Sequence, residues 1–415
     1  MSTDFKPGQA YQHIEMGQHL ERRGRLDEAM AEFKRAVQAD PSIAAAHIAL
    51  GHHYQRKGLL TKAVDEFHTA VLLSGDYESL FHWGRALADL ERYDEAGEAF
   101  SRCLSIEDDD PPARYELACV QYAQDHFGAA LTRFESLLEE YPDDWQLKSA
   151  IADCQLALGD YAAAESTLRE AVRMAPDDVD SAALREGLLV ARRHREFSPS
   201  HAMGCKDLLY ADHGVIVLGS GRDDGLDVPM YQDYTFTYSD VATTCSRMLA
   251  MSSALSWPFN AIVPVEEDSK PLAIALAQLL EVPALGVEEL RDEDLALVVL
   301  AVGTQSELFE VTLEHMPCPV LSFALALAWE PHKSAVPDIV GVHGSGKFTL
   351  PWKRLPKRSA EAAAASILRA LAVAPEEDNQ AQQIAYYRRQ HTLLRFSSLS
   401  TGLADCQSSQ CTPAP

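Results

Sequence analysis

The chain has 415 residues, 47% of them apolar and 24% charged, enough length and apolar content for two or three domains with their own cores. Lys and Arg number 36 against 62 Asp and Glu, a net charge of -26, with 21 basic against 36 acidic residues in 1–200 and 15 against 26 in the remainder. Acidity in both portions argues against nucleic-acid and anionic-membrane partners, because either is held by clustered Lys and Arg.

The N-terminal stretch Met1–Gly8 lacks the apolar core of a signal peptide. From about residue 10 a period dominates: Ala29, Ala63, Ala96, Ala130 and Ala164 recur at steps of 34, 33, 34 and 34 residues. Four residues after each stands a bulky apolar side chain, Phe33, Phe67, Phe100, Phe134 and Leu168. Upstream lie Gly17, Gly51 and Gly84, replaced by Ala118 and Ala152 in the later units, each preceded by a large residue: Met16, Leu50, Trp83, Leu117 and Ile151. Pro41, Pro142 and Pro176 close units, and Gly24, Gly58 and Gly159 stand where a first helix must stop and turn.

A period of about 34 residues with Leu-Gly, then Tyr, then Ala-x-x-x-Phe, then Pro resembles the tetratricopeptide repeat over roughly residues 10–195. The packing logic is independent of the resemblance. Small residues such as Gly17 and Ala29 let two antiparallel helices approach, Phe33 and its equivalents fill the space between hairpins, and stacked units share one core beside a concave groove. Residues 177–195 end in Arg192-Arg193-His194-Arg195 and read as a capping helix with acids at its start and bases at its end.

In this repeat class the groove is lined by the first helix of each unit. Matching positions gives one row of Ile14, Ile48, Phe81, Tyr115 and Ser149 and a second of Gln18, His52, Arg85, Cys119 and Asp153. Repeat proteins that grip a terminal carboxylate use Lys, Arg and Asn in these rows, and only Arg85 is present, so a carboxylate clamp is not expected. The apolar strip, extended by Tyr122, suits a protein or peptide segment with apolar anchors, or else the chain's own C-terminal domain. No metal site is expected: His13 and His47 occupy slots where this repeat often packs a ring, and the acidic run Glu107–Asp110 reads as a solvated linker without a spaced ligand pattern.

From about residue 205 the period changes. Gly214–Leu218 followed by Gly219-Ser220-Gly221 predicts a strand entering a hairpin. Helices are expected over Ser239–Leu255, Ser269–Glu281, Ser306–Met316, Ser359–Ala372 and Gln380–Phe396, and strands over Ala261–Val265, Pro283–Val287, Ala296–Val302 and Val320–Leu325. Apolar strands separated by helices imply a mostly parallel sheet covered on both faces. The longest uncharged run, Met248–Val265, is broken by Pro258, Asn260 and Pro264 and is no membrane span. Gly341–Lys347 approximates a phosphate loop but has Phe348 where a magnesium-binding hydroxyl is needed, and reads as an ordinary loop. Pro375–Asp378 reads as a hinge and the Ser, Thr and Gln-rich end as a disordered tail. Eight cysteines without a Cys-x-x-Cys pair fit a reducing compartment, and the expected location is cytoplasmic.

Trp257–Val265, Ser269-Lys270-Pro271-Leu272-Ala273 and the helix ending Leu279–Pro283 are similar to the opening strand, loop and helix of type I phosphoribosyltransferases. The resemblance implies a ligand loop at Ser269 and Lys270 facing a second loop at Gly303, Thr304 and Ser306. The acid pair of that family is missing from Val302–Ser306, and Glu266-Glu267-Asp268 would repel a pyrophosphate. The expected architecture is therefore an all-α repeat solenoid with capping helix (1–197), an α/β domain with a mostly parallel sheet (198–375), and a C-terminal helix with tail (376–415). The expected function is that of a protein-binding adaptor or scaffold with no catalytic residue and no cofactor. The alternative is an enzyme with a divergent phosphoribosyl- or nucleotide-handling domain whose substrate the repeats recruit.

Overall fold

The computed structural model describes residues 7–176, 179–303, 307–328, 336–353, 359–373 and 379–395. The chain divides into two compact bodies, Met1–Leu188 and Leu189–Pro415.

The first body is a stack of five helical hairpins: α1 (Pro7–Arg22) with α2 (Leu26–Ala39), α3 (Ala44–Arg56) with α4 (Leu60–Ser74), α5 (Tyr77–Asp89) with α6 (Tyr93–Ile106), α7 (Pro111–Ala123) with α8 (Phe127–Glu140), and α9 (Trp145–Ala157) with α10 (Tyr161–Met174). A further helix, α11 (Val179–Arg195), follows. Glycine and ring are complementary within each early hairpin. A Cβ built on Gly17 would lie 2.5 Å from the Phe33 ring, and Gly51 and Gly84 meet Phe67 and Phe100 at 2.8 and 2.9 Å. Phe33, Phe67, Phe100 and Phe134 are buried. The tight turns between paired helices need the left-handed region: Gly24, Gly58 and Gly159 supply it, while Glu91 and Asp125 adopt φ 59° and 60° in the third and fourth hairpins.

Polar ties recur at matching positions. His13 Nδ1 bonds Glu32 Oε2 at 2.6 Å and His47 Nδ1 bonds Glu66 Oε2 at 2.7 Å. Arg114 reaches Glu140 at 2.5 Å and Lys148 reaches Glu170 at 2.8 Å. The slots of His13 and His47 thus hold a cation or imidazole that pins the first helix of a hairpin to the second.

The second body holds α12 (Cys205–His213), β1 (Ile216–Val217), β2 (Met230–Tyr231), β3 (Tyr234–Thr235), α13 (Tyr238–Leu255), β4 (Ala261–Pro264), α14 (Lys270–Leu280), β5 (Ala296–Gly303), α15 (Glu307–Glu314), β6 (Val320–Ala328), β7 (Ile339–Gly344), β8 (Phe348–Thr349), α16 (Ala360–Ala372) and α17 (Gln380–Ala385). One sheet runs in the order β1-β7-β6-β5-β4, with β2 also beside β7, and β3 pairs with β8 separately. Every pairing is parallel. One face packs on α13, α14 and α16 through Ile262, Leu297, Phe323, Leu272 and Ile367. The other carries Val263, Val298 and Leu300 against Phe309 of α15.

Four expectations change, the first being the helix expected over Gln380–Phe396, which ends at Ala385 and passes into a π-type turn at Tyr386–Gln390. The hairpin after Gly214–Leu218 does not form, because β1 pairs in parallel with β7 instead. Pro283–Val287 makes only an isolated bridge from Ala284 to Ile262 and then a short 3-10 turn at Val287–Glu289. The approximate phosphate loop is strand β7 followed by a turn into β8, where the Lys347 N–H donates to Asp233 Oδ1 at 2.6 Å. A backbone donor spent on a carboxylate leaves no phosphate cradle there. Pro375–Asp378 and the tail from 396 lie outside the described residues.

Candidate functional site

The first helices of the hairpins carry the two rows of expected groove residues, and packing sorts them. Ile14 and Ile48 are buried at 7% and 9% exposure, where they join the apolar contacts between neighbouring helices. Phe81 and Tyr115 are half-buried, Tyr122 is exposed, and Gln18 and Arg85 reach solvent. Phe81 stacks on Tyr77 at 5.7 Å and meets Phe100 edge-on at 5.8 Å, while Tyr115 meets Phe134 at 5.5 Å. These rings are held by their own hairpins and stay partly exposed, the geometry of rigid apolar anchors at low entropic cost.

In the second row, His52 packs edge-on against His82 at 4.3 Å and against Phe67 at 5.1 Å. Burial, then His82 and Arg56, push His52 down to about 4, so both rings serve as neutral aromatic surface at physiological pH. Arg85 Nε lies 3.2 Å from Glu116 Oε1 of the next hairpin. Burial raises Glu116 above the ordinary carboxylate range.

Beside Tyr115 a cavity of about 430 Å³ opens between the fourth and fifth hairpins, walled by Pro111, Pro112, Leu137, Tyr141 and Leu147 with Glu116, Asp144 and Gln146 at the rim. Burial pushes the Tyr115 phenol up to about 12, so its hydroxyl stays a neutral donor.

The stack is matched along its length by known sequences. The tetratricopeptide repeat family matches residues 12–76, 48–112 and 115–179. The hairpins are tetratricopeptide repeats. Among solved structures, similar chains include one described as YrrB, a TPR protein with an unusual peptide-binding site, at 20% identity over 42% of this chain and 90% of that one, TM-score 0.38. PilW, described as a widely conserved type IV pilus biogenesis factor, is 18% identical over 45% of this chain and 86% of its own, TM-score 0.41. A tetratricopeptide repeat protein from Parabacteroides merdae is 21% identical over 45% and 73%, TM-score 0.40. A search of curated proteins finds no match.

Beyond the tetratricopeptide stack, the second body has a cavity of about 340 Å³ at the C-terminal ends of its strands, lined by Glu266, Asp268, Val302, Ala328, Lys347 and Lys353 among others. This is the edge where open parallel sheets hold ligands. The expected loop residues Ser269, Lys270 and Gly303 are not among those that line this cavity. Ser269 is buried and its Oγ accepts the Ala301 N–H at 2.9 Å, tying the loop to β5. Lys270 pairs with Glu267, and Gly303 ends β5. Thr304 and Ser306 lie outside the described residues. Among the described residues the cations that line this cavity are Lys347 and Lys353; Lys353 pairs with Asp268, whose carbonyl oxygen also accepts Trp352 Nε1–H at 3.0 Å.

Gly219-Ser220-Gly221 is sealed by buried polar contacts. Arg247 Nη1 donates to Leu218 O at 2.9 Å and to Asp223 Oδ1 at 3.0 Å, and the Ser220 N–H donates to Asp223 Oδ2 at 2.9 Å. Among the described residues no group of three or more His, Cys, Asp or Glu could hold a metal ion, and no helix is long and apolar enough to cross a membrane. Of the residues lining the cavity beside Tyr115 the repeat rows contain Tyr115 alone; Leu137 and Tyr141 lie off the first helices altogether, on the second helix of the fourth repeat and the connection after it. Tyr141-Pro142 at the close of a repeat was the available signal.

Proposed function

We propose that this chain is an adaptor that binds a protein or peptide segment on its tetratricopeptide repeats, with an α/β domain that performs no chemistry of its own. The observation that carries the reading is the pair of half-buried rings held by their own hairpins, Phe81 and Tyr115, the second of which lines a cavity with a largely apolar wall. Rigid aromatic anchors in apolar pockets supply most of the energy of such contacts. The test is Phe81→Asp in the full chain. Partner capture should fall at least tenfold, which corresponds to about 1.4 kcal/mol, with circular dichroism unchanged. Unchanged capture by a folded variant would place the partner elsewhere.

The cavity at the C-terminal ends of the strands favours a second reading, a divergent phosphoribosyl- or nucleotide-handling domain. Glu266 and Asp268 oppose an anionic substrate there, while Lys347 and Lys353 favour one. Calorimetry with phosphoribosyl pyrophosphate and common nucleotides decides between the two, and saturable binding lost in Lys347→Ala or Lys353→Ala would support the enzyme.

A further inference from the structure

We propose that the cavity between the fourth and fifth repeats takes a basic segment of another protein, with one aromatic side chain inside the cavity and flanking Lys or Arg on the acidic connections around it. This rests on the reading of the repeats as a peptide-binding stack and adds the partner's chemistry.

Two acidic stretches bracket the cavity. The connection from α6 to α7 is Glu107-Asp108-Asp109-Asp110, directly before the lining residues Pro111 and Pro112. The end of α8 and its connection to α9 read Glu139-Glu140-Tyr141-Pro142-Asp143-Asp144, with Tyr141 itself in the wall. Arg114 draws the two together: its Nη1 lies 3.1 Å from Asp109 Oδ1 and 2.5 Å from Glu140 Oε1. Two further carboxylates are used internally. Asp110 accepts the Ala113 N–H and the Tyr77 hydroxyl, and Asp144 accepts the Gln146 and Leu147 N–H groups. Glu107, Asp108, Asp109, Glu139, Glu140 and Asp143 stay exposed, and Arg114 is the cation brought to them.

Carboxylates gathered at this density repel one another, and a polycationic segment relieves that repulsion while steering its own approach. Charge alone would give weak, unselective attraction. The apolar wall of Pro111, Pro112, Tyr115, Leu137, Tyr141 and Leu147 adds selectivity, because its 430 Å³ suits one large ring and its prolines and tyrosines are stiff. A second copy of the chain, itself acidic over these repeats, is a poor occupant.

The experiment is fluorescence anisotropy on the full chain with a labelled peptide Gly-Lys-Arg-Trp-Arg-Lys-Gly, a counterpart with Ala for Trp, and one with Glu and Asp for the basic residues. The expected result is saturable binding of the first peptide that weakens steeply with salt, at least tenfold weaker binding of the Ala peptide, and no binding of the acidic one. Tyr141→Ser should weaken the first peptide about tenfold, and the triple change Glu107→Gln, Asp108→Asn, Glu139→Gln should weaken it and flatten the salt dependence. The proposal is overturned by equal binding of the Trp and Ala peptides, by binding of the acidic peptide, or by no saturable binding. If Tyr141→Ser leaves binding intact while Phe81→Asp abolishes it, the cavity falls and the adaptor reading stands. If neither variant changes it, both readings of the repeat surface fall.

Discussion

The fit between glycine and ring sets the spacing of the early repeats. Gly17 and Gly51 lie so close to Phe33 and Phe67 that one methyl group would overlap the ring. Ring and backbone cannot both stay in place, and overpacking of this kind costs about 1–3 kcal/mol. Gly17→Ala and Gly51→Ala should therefore lower the denaturant midpoint of the protein, whereas Glu91→Gly, which relieves a left-handed residue at φ 59°, should raise stability by about 0.5–1 kcal/mol. Urea titrations of the three variants check both signs, and a stabilising Gly17→Ala would mean that the helices separate freely. The ring and its glycine were legible in the sequence because they repeat at a fixed step. The turns at Glu91 and Asp125 were not, since nothing in a Glu or an Asp announces positive φ when three sister turns use Gly. Groove exposure was half legible: the period gives the rows, but Ile14 and Ile48 are buried because branched aliphatic side chains at that position pack into the neighbouring helix, while Phe81 and Tyr115 at the same position stay half-buried.

Among the elements, long ones were legible and short ones were not. Strands β5 and β6 are eight and nine residues of nearly unbroken apolar sequence, as expected of strands covered on both faces. Strand β7 holds Gly341, His343 and Gly344, so its composition resembles a loop although every residue in it is buried. β1, β2, β3 and β8 are two residues each, too short for any alternation to register. The C-terminal helix was expected to run to Phe396, and instead α17 ends at Ala385 and passes into a π-type turn at Tyr386–Gln390. The reason lies in what this segment grips. Gln383 Nε2 donates to Leu218 O and Gly225 O at 2.9 and 2.8 Å, and the Val217 N–H donates to the Tyr387 hydroxyl at 2.8 Å. These side chains satisfy backbone groups of β1 and the loop after it that neighbouring strands leave open. Tyr387→Phe keeps the ring and strands the Val217 N–H, so it should cost about 1–3 kcal/mol and accelerate amide exchange at Val217. Unchanged exchange there would show that β1 does not depend on the C-terminal segment.

At the scale of the whole chain, acid sets two effects against each other. The net charge of -26 disappears as pH approaches the isoelectric point near 4.9, which relieves repulsion and favours the compact state. Buried neutral imidazoles act in the opposite direction in both bodies. His52 is held down at about 4 by burial and then by His82, and His343 is held at about 4 by burial on β7. An unfolded imidazole binds its proton near 6.5, so between 6.5 and 4 the unfolded chain holds more protons, and stability falls as pH falls through that window. At pH 5 this amounts to about 2 kcal/mol for His343 and about half that for the more accessible His52. His47, raised through its bond to Glu66, opposes the trend, as do Glu116 and Asp338, whose carboxyls burial holds up. Repulsion spread over a large surface at 0.15 M salt is screened beyond about 8 Å, whereas the cost of protonating an enclosed ring is not. The imidazoles therefore prevail: melting temperature should fall from pH 7 to pH 5, and His343→Leu should flatten the decline by removing its largest single contribution. A melting temperature that rises toward the isoelectric point, in wild type and variant alike, would mean that relief of surface repulsion outweighs the protonation of His52 and His343.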